Sequence, residues 1–283
     1  MTAVSVTGLR KSYGDYEALR GIDFTIASGE VFGLLGPNGA GKTTTIEILE
    51  GYRARDGGTV EVLGEDPERS GTPWRERVGV MLQSSSLYPN LTVRESLQTF
   101  AGYYARPRDP GDVIEIVELG EKANARVRTL SGGQQRRLDL GLALIGDPEL
   151  IFLDEPTTGF DPGARRTAWQ TIANLRELGK TILLTTHYLD EAEQLADRVA
   201  VLRNGSIVRE GTPAELTGGP LNEVEIRYRR GGEDVVVTTA EPTRVLHDLT
   251  AEALARGEEL ERLEVRRPTL EDVYLSLTGD EAE

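Results

Sequence analysis

The sequence predicts an α/β protein with a mainly parallel sheet, a helical insertion, and a small α+β appendage at its C-terminal end. Three observations predict it. Apolar runs of strand length alternate with helical patterns through most of the first 210 residues. The stretch from Ser84 to Gly146 has helical texture throughout. After Leu216, the cluster Thr217, Gly218, Gly219, Pro220 reads as a linker. The expected domains are residues 1–217, with the helical part at about 84–146, and 218–283.

In chain order, strands are expected near Val4 to Leu9, Ile22 to Ile26, Val31 to Leu35, Thr59 to Leu63 and Val78 to Leu82. Further strands fall at Leu150 to Leu153, Thr181 to Thr185 and Val199 to Leu202, and Asn204 and Gly205 supply a hairpin turn into Ile207 to Arg209. Within the insertion, Thr92 and Glu95 have the spacing of a capping box, as do Ser131 and Gln134. Asp161 followed by Pro162 reads as an N-cap with proline at the first helical position. In the appendage, Val224 to Tyr228 and Val235 to Val237 flank a turn at Gly231 and Gly232. Helical patterns cover Val245 to Arg256 and Leu270 to Leu277, Leu263 to Val265 is a further strand, and a short acidic tail occupies Gly279 to Glu283.

Composition narrows the function classes. The chain has no cysteine, hence no disulfide or thiolate metal site, and a reducing, cytoplasmic setting is expected. Met1 to Arg10 lacks the order of a signal peptide. Apolar stretches such as Leu138 to Ile145 fall well short of the ~20 residues that span a membrane, so a membrane role requires a partner. A net charge of -15 disfavours broad contact with phosphate backbones, and no nucleic-acid partner is expected. Only four lysines occur, which gives weight to the one set among glycines, Lys42.

Gly36, Pro37, Asn38, Gly39, Ala40, Gly41, Lys42, Thr43 matches the phosphate-loop pattern G-x-x-x-x-G-K-S/T in full. An apolar strand leads in and a helix, Thr44 to Gly51, leads out, so backbone N–H groups and a helix N-terminus converge on one anion. The ligand expected is a nucleoside triphosphate, ATP with Mg²⁺. Lys42 would neutralise the β- and γ-phosphates and the Thr43 hydroxyl would hold the metal.

A second constellation lies where Leu150 to Leu153 stops at Asp154 and Glu155. Ligands of open parallel sheets sit beyond the carboxyl ends of the strands, so this run delivers two acids beside the phosphate loop. Asp154 is expected to help fix Mg²⁺ and Glu155 to act as general base toward water. His187 closes the strand Thr181 to Thr186 and is expected to contact the γ-phosphate. His247, in the appendage, has no expected role.

The third constellation is Leu130, Ser131, Gly132, Gly133, Gln134. Ser131 as N-cap followed by two glycines leaves exposed donors at a helix N-terminus, a second anion site in the same chain. The run reads L-S-G-G-Q and resembles the signature of ATP-binding cassette (ABC) ATPases, with the family's motifs in order over about residues 3 to 216. Thr186 to Val199 and Pro268 to Gly279 resemble the subgroup of drug- and antibiotic-resistance exporters of the daunorubicin type.

The resemblance implies a P-loop NTPase (RecA-like) core with an N-terminal antiparallel β subdomain and a helical insertion. It implies a head-to-tail homodimer in which Ser131 and Gly133 of one chain contact the γ-phosphate held by Lys42 of the other. Tyr13 matches the aromatic that stacks on adenine, and Gln83 the glutamine that senses Mg²⁺ and the attacking water. Asp161 matches the loop crossing the dimer interface and equally fits a plain helix cap; Thr44 matches a phosphate contact. The expected protein is the ATPase subunit of an exporter, peripheral on the inner face of the cell membrane through a separate permease. Phe160 where leucine is commoner, and Leu82 where proline is frequent before Gln83, are the departures. A ribosome- or DNA-acting ATPase is disfavoured by the single cassette and by the charge, and a kinase or GTPase leaves the signature unexplained.

Overall fold

The computed structural model describes residues 1–82, 87–217, 224–230, 232–266, 269 and 270. Gln83, the linker glycines, Gly231, most of the Pro268 to Gly279 motif and the acidic tail lie outside them. The chain divides into two compact units, 1–210 and 211–283.

The first unit opens with two long strands, β1 (Thr2–Tyr13) and β2 (Tyr16–Ala27), followed by β3 (Val31–Leu35), α1 (Lys42–Leu49) and β4 (Gly57–Val62). Strands β2, β1 and β4 form an antiparallel sheet in which Val4 faces Ile26 on one side and Val62 on the other. The alternation expected of a half-buried strand is visible in β2, where Leu19, Ile22, Phe24 and Ile26 are buried.

The chain continues through α2 (Thr72–Arg75), β5 (Val78–Met81), α3 (Val93–Ala101), α4 (Pro110–Ile116) and α5 (Gly132–Leu144). It then runs through β6 (Leu150–Asp154), α6 (Pro162–Glu177), β7 (Thr181–Thr186), α7 (Leu189–Leu195), β8 (Arg198–Arg203) and β9 (Ser206–Gly211). The second sheet has the order β5-β6-β7-β3-β8-β9 and is parallel from β5 to β8. Its central strands are covered on both faces, which is why VFGLL, LIFLD and TILLTT read as unbroken buried runs.

Side chains one residue apart enter different cores. Phe32, Leu34, Phe152 and Leu183 pack with Phe24, Ile26 and Ile46 on the face toward the antiparallel sheet and α1. Val31, Ile151, Leu153, Ile182 and Leu184 pack with Leu97, Val113, Leu138, Ile172 and Leu175 on the face toward the helices. Phe24 stacks on Phe32, with ring centroids 5.4 Å apart, and so joins the two sheets. Each fully buried leucine in such a core contributes about 1.5–3 kcal/mol.

The expected caps are formed. Thr92 and Ser131 both make reciprocal capping boxes, with Glu95 and Gln134. Asp161 accepts from the N–H groups of Gly163 and Ala164, with Pro162 opening α6. The Asn204–Gly205 turn has both residues at positive φ, the conformation a two-residue hairpin needs. Two expected strand ends are one residue shorter: β4 stops at Val62 because Leu63 turns to φ 53, and β5 stops at Met81.

The second unit contains α8 (Pro213–Thr217), β10 (Val224–Arg230), β11 (Glu233–Thr239), α9 (Pro242–Arg256) and β12 (Glu261–Arg266). The strands form an antiparallel sheet in the order β11-β10-β12, with Val224, Ile226 and Tyr228 buried. Ala253 is the buried residue of α9, which ends at Gly257 in the left-handed conformation.

Candidate active site

The Gly36 to Thr43 loop leaves the carboxyl end of β3 and turns into α1. Two of its glycines are required by space. A Cβ on Gly36 would lie 2.4 Å from the Leu202 carbonyl oxygen, and one on Gly41, at φ 110, would lie 2.8 Å from the Ala18 carbonyl. The first turn of α1 carries N–H groups with no helical partner, and Lys42 and Thr43 stand there.

Lys42 is 5% exposed and donates to the carbonyls of Gly36, at 2.7 Å, and Pro37, at 3.3 Å. Its ammonium lies 3.6 Å from Glu155 Oε1. Burial lowers the Lys42 pKa from the ordinary lysine range, opposed by the charges of Glu155 and Asp154.

Asp154 ends β6, between β5 and β7, and is 4% exposed. Its Oδ1 accepts from the Thr185 hydroxyl, and its Oδ2 lies 3.5 Å from Thr43 Oγ1. Burial pushes its carboxyl above the usual range, and Glu155 adds to that. Glu155 follows at φ 48, a left-handed conformation that costs a residue with a Cβ roughly 1–2 kcal/mol. Its N–H is held by the carbonyl and hydroxyl of Thr185. Its Oε1 is 3.3 Å from His187 Nδ1, and its Oε2 accepts from the Thr158 hydroxyl at 3.1 Å. Burial pushes the Glu155 carboxyl up, but the His187 hydrogen bond and the charge of Lys42 outweigh it and hold it below the ordinary glutamate value. Glu155 is therefore ionised at neutral pH.

The loop opens on a cleft of about 320 Å³ lined by Tyr13, Tyr16, Asn38, Lys42, Thr44 and Glu155 among others. Tyr13 is 41% exposed; its hydroxyl is 3.4 Å from Thr44 Oγ1, and the Arg53 guanidinium lies 5.2 Å from its ring centre. Tyr16 donates to the Gly39 carbonyl at 2.9 Å. A larger groove of about 590 Å³ lies against α6 and α7 at Arg165, Trp169 and Asp190. It carries neither the Gly36 to Thr43 loop nor Asp154 and Glu155.

Strand order thus brings together Tyr13, Lys42, Thr43, Thr44, Asp154, Glu155 and His187. Ser131 to Gln134 and Asp161 do not line the same cleft. Ser131 Oγ accepts from the Gln134 N–H at 3.3 Å, and the Gln134 side chain returns a bond to the Ser131 N–H. Both residues of that box are engaged locally, at an exposed helix end.

Hydroxyl and carboxylate oxygens at Thr43 and Asp154 are the donor set of a hard divalent cation that keeps waters and takes phosphate oxygens. Among the described residues no cluster of three or more histidine, cysteine or acidic side chains forms an all-protein metal site. Those two residues fit Mg²⁺ arriving with a nucleotide.

These features have counterparts among known proteins. The family model described as ABC transporter matches residues 19–158. The Nod factor export ATP-binding protein I of Rhizobium sp. (strain N33) is 42% identical, over 99% of this chain and 98% of its own length. The chain belongs to the ABC transporter ATP-binding family. Daunorubicin resistance ATP-binding protein DrrA3 of Streptomyces coeruleorubidus is 39% identical, over 99% and 97% of the two chains. An ATP-binding cassette of an ABC transporter in its ADP conformation superposes with a TM-score of 0.67 at 25% identity, covering 76% of this chain and 92% of that one. A dimeric cassette in a post-hydrolysis state bound to ADP and Pi superposes with a TM-score of 0.66 at 26% identity, covering 74% and 98%. As a member of this family the chain is a nucleotide-binding ATPase with the P-loop NTPase fold.

Three residues of this ABC ATPase escaped the motif reading. Tyr16 is an aromatic three positions beyond Tyr13, in the turn region that also faces the loop. Thr185, one strand over, braces both Asp154 and the Glu155 backbone, and only the pairing of β6 with β7 brings it there. Glu191, fully buried in α7, accepts from Thr157 Oγ1 at 2.8 Å and Trp169 Nε1 at 3.1 Å. Burial raises its carboxyl above the usual range, and it ties the segment after Glu155 to α6 and α7.

Proposed function

We propose that this ATPase is the energy-supplying subunit of an exporter whose membrane-spanning permease is a separate polypeptide. No helix among the described residues is long and apolar enough to cross a membrane. Relatives along the whole chain are called Nod factor export and daunorubicin resistance ATP-binding proteins, which favours an antibiotic, drug or lipid-like cargo. In this reading the chain works in the cytoplasm, held to the inner face of the membrane by the permease. Residues 1–210 form the ATPase domain and 211–283 a separate extension, so the boundary falls seven residues before the one expected at 217.

The observation that carries the hydrolytic reading is the convergence on Glu155 of Lys42, at 3.6 Å, and His187, at 3.3 Å. Tyr13 stacks on the base. The backbone of Gly36 to Gly41, with Lys42 and Thr44, cradles the phosphates, which compete with Glu155 for the Lys42 ammonium. Released from Lys42, the Glu155 carboxylate accepts a proton as water attacks the γ-phosphorus and the bond to the ADP oxygen breaks. His187 donates to the transferring phosphate. Thr43 and Asp154, with Gln83, would hold Mg²⁺, which would supply positive charge against the phosphates.

The second phosphate-binding end, Ser131 to Gln134, completes the site of a second copy of this chain, with Asp161 near the same boundary. A head-to-tail homodimer then closes on ATP and opens on hydrolysis, and the permease reads the two states as a population shift. A Glu155→Gln variant is expected to bind ATP, to stop turning over, and to accumulate as a dimer. Hydrolysis by that variant at the normal rate would sink the assignment.

A further inference from the structure

Glu155 sits in a strained left-handed turn, and something must hold it there. The N–H on its strand side is held by Thr185. The carbonyls of Asp154, Glu155 and Pro156 all point at one side chain that belongs to neither the phosphate loop nor the sheet. Arg136, on α5, donates through Nη2 to the Asp154 carbonyl at 2.8 Å and to the Glu155 carbonyl at 3.1 Å. Its Nε donates to the Pro156 carbonyl at 3.3 Å. Its Nη1 donates to the Leu82 carbonyl, the last described residue before Gln83, and lies 4.0 Å from Asp139.

One planar guanidinium, with only 11% of its side chain exposed, therefore spans three consecutive carbonyls around Glu155 and a fourth at the end of β5. It lies five residues, or about 7.5 Å along the helix, from Ser131. We propose that Arg136 is a positioning residue for hydrolysis: its fork holds the Glu155 turn and carries displacements of the Ser131 end of α5 to that turn and to the Leu82 segment. This rests on the hydrolytic reading above and adds a residue that touches no reacting atom.

The chemistry demands arginine. Five N–H donors in a fixed fork can serve carbonyls on two sides at once, whereas a lysine ammonium is a point donor that reaches one cluster. Carbonyl acceptors also distinguish the fork from a simple counter-charge, because a cation needed only to balance Asp139, Asp154 and Glu155 would be replaceable by lysine.

The test uses the full chain with Arg136→Lys, Arg136→Met and Arg136→Ala, measuring thermal midpoint, ATP dissociation constant, KM and kcat. Expected for Arg136→Lys is a kcat at least tenfold below wild type, with KM and ATP affinity within about threefold. Arg136→Met is expected to lose kcat similarly. In Arg136→Ala, millimolar methylguanidinium is expected to raise kcat several-fold and methylammonium to leave it unchanged. A kcat within twofold of wild type in Arg136→Lys or Arg136→Met overturns the proposal, as does equal rescue by the two amines. Glu155→Gln assayed alongside separates the two readings: if it turns over normally the hydrolytic reading fails, and if only the Arg136 variants do, this proposal fails alone.

Discussion

The phosphate loop and the N-terminus of α5 are built on the same principle, glycines beside a helix start, and are finished differently. At the loop, a buried lysine from the start of α1 converges with a buried aspartate and an ionised glutamate from the end of β6, with Tyr13 and Tyr16 beside them. At α5, exposed Ser131 and half-buried Gln134 cap one another, and no basic side chain stands in the first turn. One end brings together a cation, a carboxylate and a hydroxyl–carboxylate pair fit for a divalent metal; the other offers neutral donors alone. Neutral donors add about 1.5–3 kcal/mol each to anion binding but bring no charge of their own, so they matter most where a cation elsewhere already holds the phosphate. That is the physical case for a site completed across two copies.

The comparison breaks most sharply at Glu155. Removing a general base slows proton-coupled attack by about 10²–10⁴-fold, and Glu155→Gln is expected to fall in that range of kcat with ATP affinity retained. Steady-state phosphate release checks it. Lys42→Ala removes the charge that the α5 end lacks; ATP affinity is expected to fall about 10–100-fold, from the value of a charge-assisted hydrogen bond, as titration of a fluorescent nucleotide would read. Ser131→Arg should do the reverse, leaving ATP affinity of the isolated chain within about threefold while turnover falls at least tenfold.

The smallest expected effect concerns the ground beneath the loop. Glu50, the residue that ends α1, has its Oε1 enclosed and without a hydrogen bond. Burial, with Asp154 and Glu47, pushes its carboxyl up to about 8. Because the folded value lies above the unfolded one, the native state holds a proton that the unfolded chain releases. Stability is therefore fully present below about pH 4.5 and declines as pH rises toward 8. Glu50→Gln is expected to raise the thermal midpoint by about 2–4 °C at pH 8.5 and not at pH 4.5, as calorimetry would show.

Much of this was legible in residue order. The phosphate loop is local, so Gly36 to Thr43 announces itself in eight consecutive positions. The strands β3, β6 and β7 are buried on both faces, so their apolar runs could not be missed. Capping boxes at Thr92 and Ser131 are likewise three-residue patterns. What escaped depends on strand order and side-chain reach. Thr185 braces Asp154 only because β7 lies beside β6, and Arg136 finds Glu155 across a gap of 19 residues. The helices α2 and α8 are four and five residues long, too short for a periodic signal. The separate antiparallel sheet of β2, β1 and β4 is a matter of pairing, which an alternating pattern does not specify.

Whether ATP joins two copies through Ser131 is read by sedimentation of Glu155→Gln with and without ATP, beside the double variant Glu155→Gln/Ser131→Arg. The single variant is expected to sediment as a dimer with ATP and as a monomer without it, and the double variant to bind ATP yet stay monomeric. A double variant that dimerises as readily as the single one, or a single variant that stays monomeric with ATP bound, would contradict a site completed across two copies.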